Sequence, residues 1–309
     1  MTGLTFSLVR GAVTSPLKRA GRPGATLPAG REVRPPARVA PGPLAAYSRV
    51  CGFAESGPLP LTYPHVLGFP LAMRLMTGRD FPLPVLGLVH TWIEITGHRA
   101  LHPTDALELT VRAAELTPHR RGTEVTMVTE ARLAGELVWE SRSGYLSRHA
   151  SGTSGTAGTS STAGTSSTSG TAGGSGEAGT SGGSGEAPSA PGRAAHPELP
   201  AVAEWRLPTD LGRRYGAASG DRNPIHLYPA TARLFGFPRH LAHGMWTVAR
   251  CLAEAGGETG APGRIRSVRA DFRAPVLLPA TVTYATDGTA FQMRGAGRVH
   301  LTGTMTRER

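Results

Sequence analysis

Hydrophobic positions fall into two successive blocks of the same kind, each opening on helical patterns and continuing in alternating runs. In the first block, LAAYSRVCGF from Leu44 has helical spacing. LGFPLAMRLMTG follows, and Pro70 and Gly78 are residues that open and close helices. Leu71, Ala72, Met73, Leu75 and Met76 leave that helix apolar around most of its circumference, which predicts a buried one. Four strand-like runs come next, VLGLVHTWIEI, ALELTVRAAEL, TEVTMVTEARL and ELVWESRSGYLSR. Their alternation is clearest at Glu124–Thr129 and Leu137–Ser141.

The second block begins after His196. Thr209 can cap a helix LGRRYGAAS that ends near Gly220, and Pro229 can open a short helix closed by Gly236. A third helix starts near His243, with Met245, Val248, Ala249, Leu252 and Ala253 at i, i+3, i+4, i+7 and i+8. Four runs follow, IRSVRADFRAPVL, ATVTYATDG, TAFQMRGAG and RVHLTGTMTR, with Asp287-Gly288 as a hairpin signal. Helices followed by antiparallel candidates predict an α+β layer architecture, twice over. The two blocks superpose at Tyr47–Phe53 and Tyr215–Asp221: tyrosine and glycine coincide, and Phe53 stands where the second copy has Asp221.

Composition divides the 309 residues further. Residues 1–40, rich in Arg, Pro and Gly, read as an extended arm on the surface, and 41–150 as a first domain. From 151 to 195 the chain is Gly, Ser, Thr and Ala, which cannot bury a core and is expected to be a disordered linker. Such a tether reaches on the order of 35 Å and cannot orient what it joins. Residues 196–309 form the second domain. Cys51 and Cys251 imply no disulfide framework, and no apolar run is long enough for a membrane helix. The net charge of +11 comes from scattered arginines, with Lys18 the one lysine, which argues against nucleic acid and for anionic ligands in general.

The chemistry concentrates between Tyr215 and Arg250. Asp221 and His226 would stand roughly 140° apart on a continuous helix. Pro224 disfavours helix at Asn223 and bends the chain, which allows carboxylate and imidazole to converge on one water. Asn223 can fix the turn, Ser219 most simply stabilises it, and Tyr215 packs. Gly244, at a helix start, can turn its N–H toward a developing oxyanion. His243 precedes it as a helix-start or site histidine. His226, His240 and His243 match no common metal-ligand spacing.

SGDRNPIH followed by LAHGM resembles the signature of the MaoC-like (R)-specific enoyl hydratases and acyl dehydratases, and DFRAPVLLP is similar to their strand pattern. The resemblance implies two hot-dog folds, each an antiparallel sheet around a long helix, paired as a pseudo-dimer. It implies Asp221 and His226 as the catalytic pair, Gly244 as the oxyanion donor, and Asn223, Ser219 and His243 as site-shaping residues. It further implies reversible hydration of trans-2-enoyl thioesters to (3R)-3-hydroxyacyl thioesters on CoA or acyl carrier protein, without cofactor or metal. A cytoplasmic location is expected, and a homodimer is compatible with it. The rivals are a hot-dog thioesterase and a non-catalytic acyl-binding subunit. The intact GDxNPxH stands against both, since neither needs it.

Overall fold

The computed structural model of the chain describes residues 24–149, 198–257 and 263–308; the Gly/Ser/Thr/Ala tract expected as a linker lies outside them. The first half runs β1 (Arg31–Ala37), α1 (Pro41–Cys51), α2 (Tyr63–Thr77), β2 (Val89–Gly97), β3 (Leu107–His119), β4 (Gly122–Leu133) and β5 (Glu136–Arg148). The second runs β6 (Ala201–Leu207), α3 (Leu211–Ser219), α4 (Pro229–Arg233), α5 (Gly244–Gly256), β7 (Ile265–Phe272), β8 (Ala280–Thr286), β9 (Ala290–Gly295) and β10 (Arg298–Arg307). All strands pair antiparallel in one ten-stranded sheet of order β1-β3-β4-β5-β2-β7-β10-β9-β8-β6. The order is the same for each half when read outward from its centre. Each half is a sheet curled on one long helix, α2 or α5, which is the hot-dog arrangement.

Three expectations need correction. The first concerns α2, which begins at Tyr63, so Pro70 lies inside it. Pro64 occupies the first turn, where a missing N–H costs nothing. An interior proline costs roughly 3 kcal/mol, but the two turns before it bury Tyr63, His65, Val66 and Gly68. Gly68 lies so close to Thr129 of β4 that an added Cβ would come within 2.7 Å of its methyl group. Burial on both sides of Pro70 therefore outweighs the local penalty.

The second concerns the arm, whose residues 1–23 lie outside the described residues. Its last residues form β1, with Val33 opposite Thr110 of β3, and Glu32 accepts from Arg74 of α2 at 2.9 Å. The register shifts between Arg34 and Ala37, at the two prolines. Proline cannot donate to a ladder, and an edge strand tolerates that. The third correction follows from it. Each half has five strands, because β6 caps the far edge as β1 caps the near one. Both edge strands are half-exposed, alternating between exposed and intermediate positions without the buried positions of the inner strands until Leu207.

The junction shows how the halves are oriented. β2 pairs with β7, placing Ile93 opposite Ala270 and Ile95 opposite Val268, all buried. Above the sheet, α1 and α3 pack, and the rings of Tyr47 and Tyr215 meet with centroids 6.0 Å apart. Trp246 of α5 donates its indole N–H to the Val50 carbonyl at 2.8 Å. One hydrophobic core runs through both halves. They share a sheet and a core, so the tether need not orient them.

Trp246→Phe keeps most of the buried ring and removes its bond across the junction. We expect a loss of about 1–3 kcal/mol in chemical denaturation, from the orphaned Val50 carbonyl and the lost packing. An unchanged midpoint would mean that the bond adds nothing to the pairing of the halves.

Candidate active site

α3 stops at Gly220, whose φ of 80° lets the chain turn while its N–H still reaches the Gly216 carbonyl at 3.1 Å. Ser219 locks the turn, donating to the Tyr215 carbonyl at 2.9 Å and accepting from the Asp221 N–H at 3.2 Å. Asp221 Oδ1 then accepts from the Asn223 N–H at 3.1 Å, and Asn223 Oδ1 from the Ile225 N–H at 3.3 Å. Pro224 opens one 3-10 turn that ends on His226. Asn223 thus shapes the loop through its own amide.

The returning chain closes the site. Leu241 donates its N–H to the Ile225 carbonyl at 3.0 Å, and its own carbonyl accepts from His226 Nδ1 at 3.0 Å. That bond places the proton on Nδ1 and leaves the lone pair on Nε2. Leu241 is itself held by a bridge to Leu277, and Ala242 N–H reaches the Val276 carbonyl at 2.9 Å. The DFRAPVLLP segment therefore acts on the site by seating His226's acceptor. His243 caps α5 and donates Nε2–H to the Asp221 carbonyl at 2.9 Å, with Asp221 Oδ2 at 3.9 Å. Its ring stacks on His226 with centroids 3.7 Å apart, and Tyr215 packs behind it at 4.8 Å.

Donor atoms of Asp221, His226 and His243 all lie within 4.8 Å of one another, the one such group among the described residues. His240 is elsewhere, bonded to the Thr209 carbonyl at 2.6 Å, and Thr209 does not cap α3, since Asp210 holds that position. The two imidazole planes are only 26° from parallel, so their in-plane lone pairs do not converge on one point as tetrahedral ligation requires. The group suits proton handling better than a metal.

Burial dominates the electrostatics. It raises the Asp221 carboxyl above its ordinary range, with His226 and the Asn223 N–H pulling the other way. It lowers His226 to about 3, helped by His243, and lowers His243 to about 4. Both imidazoles are therefore neutral at pH 7.

The first half supplies residues that no sequence signal singled out. Burial raises the Tyr145 hydroxyl, and the nearby Asp221 charge adds to the shift across the junction. His90 stacks on Tyr145 at 4.5 Å, and Phe272 leans on His90 at 4.7 Å. Phe272 also covers Gly244, where a Cβ would lie 2.9 Å from the ring, so glycine is needed at this helix start. Phe272 falls within the DFRAPVLLP pattern; Tyr145 and His90 sit in ordinary alternating strands.

Comparison with known proteins agrees with this fold. A family model described as "MaoC like domain" matches residues 190–305. The 3-hydroxyacyl-thioester dehydratase X of Mycobacterium tuberculosis is 35% identical over 273 residues, covering 86% of this chain and 85% of that protein. The chain belongs to the MaoC-like dehydratase family. The crystal structure of HtdX from Mycobacterium tuberculosis superposes with a TM-score of 0.68 at 32% identity, covering 90% of this chain and all of the other. A MaoC-like dehydratase from Phytophthora capsici, 18% identical, shares the fold with a TM-score of 0.64, over 92% of this chain and 96% of that one.

Two expectations follow from the geometry. Four histidines are lowered strongly, His65 and His243 to about 4 and His90 and His226 to about 3, and burial lowers His300 as well. The unfolded chain binds protons at these sites from about pH 6.5 downward and the folded chain does not, so stability is lost as pH falls. Each site contributes up to about 1.4 kcal/mol per pH unit, and the raised Asp221 offsets at most one of them. We expect a slope of about 4 kcal/mol per pH unit between pH 6 and 4.5 in denaturant titrations, lessened by about a third in His90→Gln. A flat profile would contradict the buried neutral imidazoles. Separately, a Cβ at Gly212 of α3 would overlap the His226 carbonyl. Gly212→Ala should cost at least about 2 kcal/mol and most of the activity, whereas alanine at the open, exposed Gly42 should be neutral.

Proposed function

We propose that this protein is a hydro-lyase that hydrates trans-2-enoyl thioesters to (3R)-3-hydroxyacyl thioesters and runs the reaction in reverse as a dehydratase. The observation that carries the reading is the convergence of Asp221 and His226, with the His226 tautomer set by Leu241. His226 Nε2, with its free lone pair, takes a proton from water as the oxygen bonds to Cβ. The electron pair of the double bond moves toward the thioester carbonyl, whose oxygen gains charge. The N–H of Gly244, at the positive end of α5, stabilises that oxygen. Asp221, its carboxyl held high by burial, delivers a proton to Cα, and the proton on His226 then returns to Asp221. Attack and protonation from one side of the substrate make the addition syn. The pair ends as it began, so the step consumes only water and needs neither metal nor cofactor.

His243 positions the pair: it holds the Asp221 carbonyl and stacks on His226. The first half carries Phe53 in place of the carboxylate and has no counterpart to Asp221 through His226, so each chain has one active site. Among the described residues no helix is long and apolar enough to cross a membrane. The similarity to a 3-hydroxyacyl-thioester dehydratase supports an acyl thioester substrate. We place the enzyme in the cytoplasm and leave a homodimer compatible with a site completed within one chain.

Asp221→Asn and His226→Gln should each lower turnover of crotonyl-CoA by a factor of about 10² to 10⁴, with the melting temperature kept within a few degrees. Loss of enoyl absorbance and release of free thiol are followed together. Thiol release with the enoyl chromophore intact would make the protein a thioesterase, and equal activity in all three proteins would overturn the assigned pair.

A further inference from the structure

Between His226 and Leu241 the chain makes an excursion that the first half does without. Tyr47 to His65 is shorter than Tyr215 to His243 by ten residues, yet both halves build the same sheet and helices. The hot-dog fold therefore does not require this segment. Its base is tied down: Thr231 Oγ1 donates to the Pro224 carbonyl at 2.6 Å, and Arg213 donates to the Leu227 carbonyl at 3.1 Å. Its tip is not buried. Leu234, just after α4, is 82% exposed, and Tyr228, just before it, is 52% exposed. Among the described residues these are two of the four exposed large hydrophobic side chains, and they flank one five-residue helix beside the catalytic histidine.

The charge around them is one-sided. From Leu211 to Arg250 the arginines are Arg213, Arg214, Arg222, Arg233, Arg239 and Arg250, and the one acidic residue is Asp221, inside the site. Arg250 is matched by Glu254. The other five have no carboxylate within ion-pair distance among the described residues, whereas Arg49, Arg74, Arg132 and Arg264 each sit on one. Arg213 lies over the Tyr228 ring at 5.1 Å, so cation and aromatic face form one surface. Unmatched cations around an exposed apolar knob have the make-up of a protein interface with an acidic partner: an apolar centre inside a charged rim. Nucleotide phosphates would use the arginines but have no use for Leu234.

We infer that the segment from Leu227 to Arg239, with Arg213 and Arg222, is a docking surface for an acidic acyl carrier protein, which presents its thioester to Asp221 and His226. The inference rests on the hydro-lyase reading and names the carrier for that site. Arg233 and Arg239 steer the encounter, and Leu234 enters the partner's apolar surface. CoA thioesters reach the same chemistry without this contact.

The test compares three crotonyl thioesters, on holo-acyl carrier protein, on CoA and on uncharged pantetheine, using the full chain and the variants Leu234→Asp and Arg233→Glu/Arg239→Glu. Both variants change exposed side chains, so their melting temperatures serve as the folding control. For the carrier-protein substrate, KM should rise at least about tenfold with kcat kept, and kcat/KM of the unaltered protein should fall steeply with salt. The variants should change kcat/KM on CoA and pantetheine less than about twofold, since a rim charge acts only on the partner it faces. Equal loss on carrier protein and CoA with pantetheine unaffected would assign the arginines to nucleotide phosphates and overturn the proposal. So would no change on any substrate. Absence of turnover of all three thioesters by the unaltered protein would instead overturn the hydro-lyase reading.

Discussion

The carbonyls of Asp221 and His226 press so closely on α3 that only glycine fits beneath them. A Cβ at Gly216 would come within 2.8 Å of the Asp221 oxygen, and one at Gly212 would overlap the His226 oxygen. Backbone packed against backbone leaves the loop little room to shift, because nothing in the contact can change rotamer. The same Asp221 carbonyl accepts from His243 at the head of α5. The end of α3, the turn that carries Asp221 and His226, and the start of α5 therefore form one closely packed body. This is the pre-organisation an acid–base pair needs when a misplacement of an ångström is costly.

Around that body the two halves divide the work. Each ends its first helix on a left-handed glycine, Gly52 with φ 85° and Gly220 with φ 80°, and each sends a tyrosine from that helix to the shared axis. Only the second continues into a carboxylate and an imidazole. The first turns instead to Phe53, which stacks on Tyr47. It still takes part, because the β2–β7 pairing carries Tyr145 and His90 to the wall opposite Asp221. Burial beside this junction keeps the imidazoles neutral and raises the carboxyl.

The inner strands and α3, α4 and α5 were readable along the chain because their signals are local: alternation, helical spacing, and the glycines and prolines at their ends. Gly220 stops α3 in a left-handed conformation, and Gly288 turns the β8–β9 hairpin, whereas α4 ends at Arg233, three residues before the expected Gly236. Pro224 was legible as a bend, and the spacing of Asp221 and His226 as a pair that a bend would join. The start of α2 was not legible, since a proline's cost is local while the burial of Tyr63 through Gly68 is not. Nor were β1 and β6, short half-exposed runs, the first with two prolines, that pair at the edges offered by β3 and β8.

What the sequence by itself determined is the chemistry: a carboxylate, an imidazole and a helix-start glycine within one short segment, present in one half and missing from the other. What only the tertiary structure decided is the setting of that chemistry. The tautomer of His226 depends on the Leu241 carbonyl, which a bridge to Leu277 seats. The role of His243 depends on a carbonyl twenty-two residues earlier. The opposing wall depends on Tyr145 and His90, brought in by strand pairing across the whole chain. Residue types and near spacings are written in local sequence. Desolvation and hydrogen-bond partners are properties of what surrounds a group in space, and here most of those surroundings come from far away along the chain.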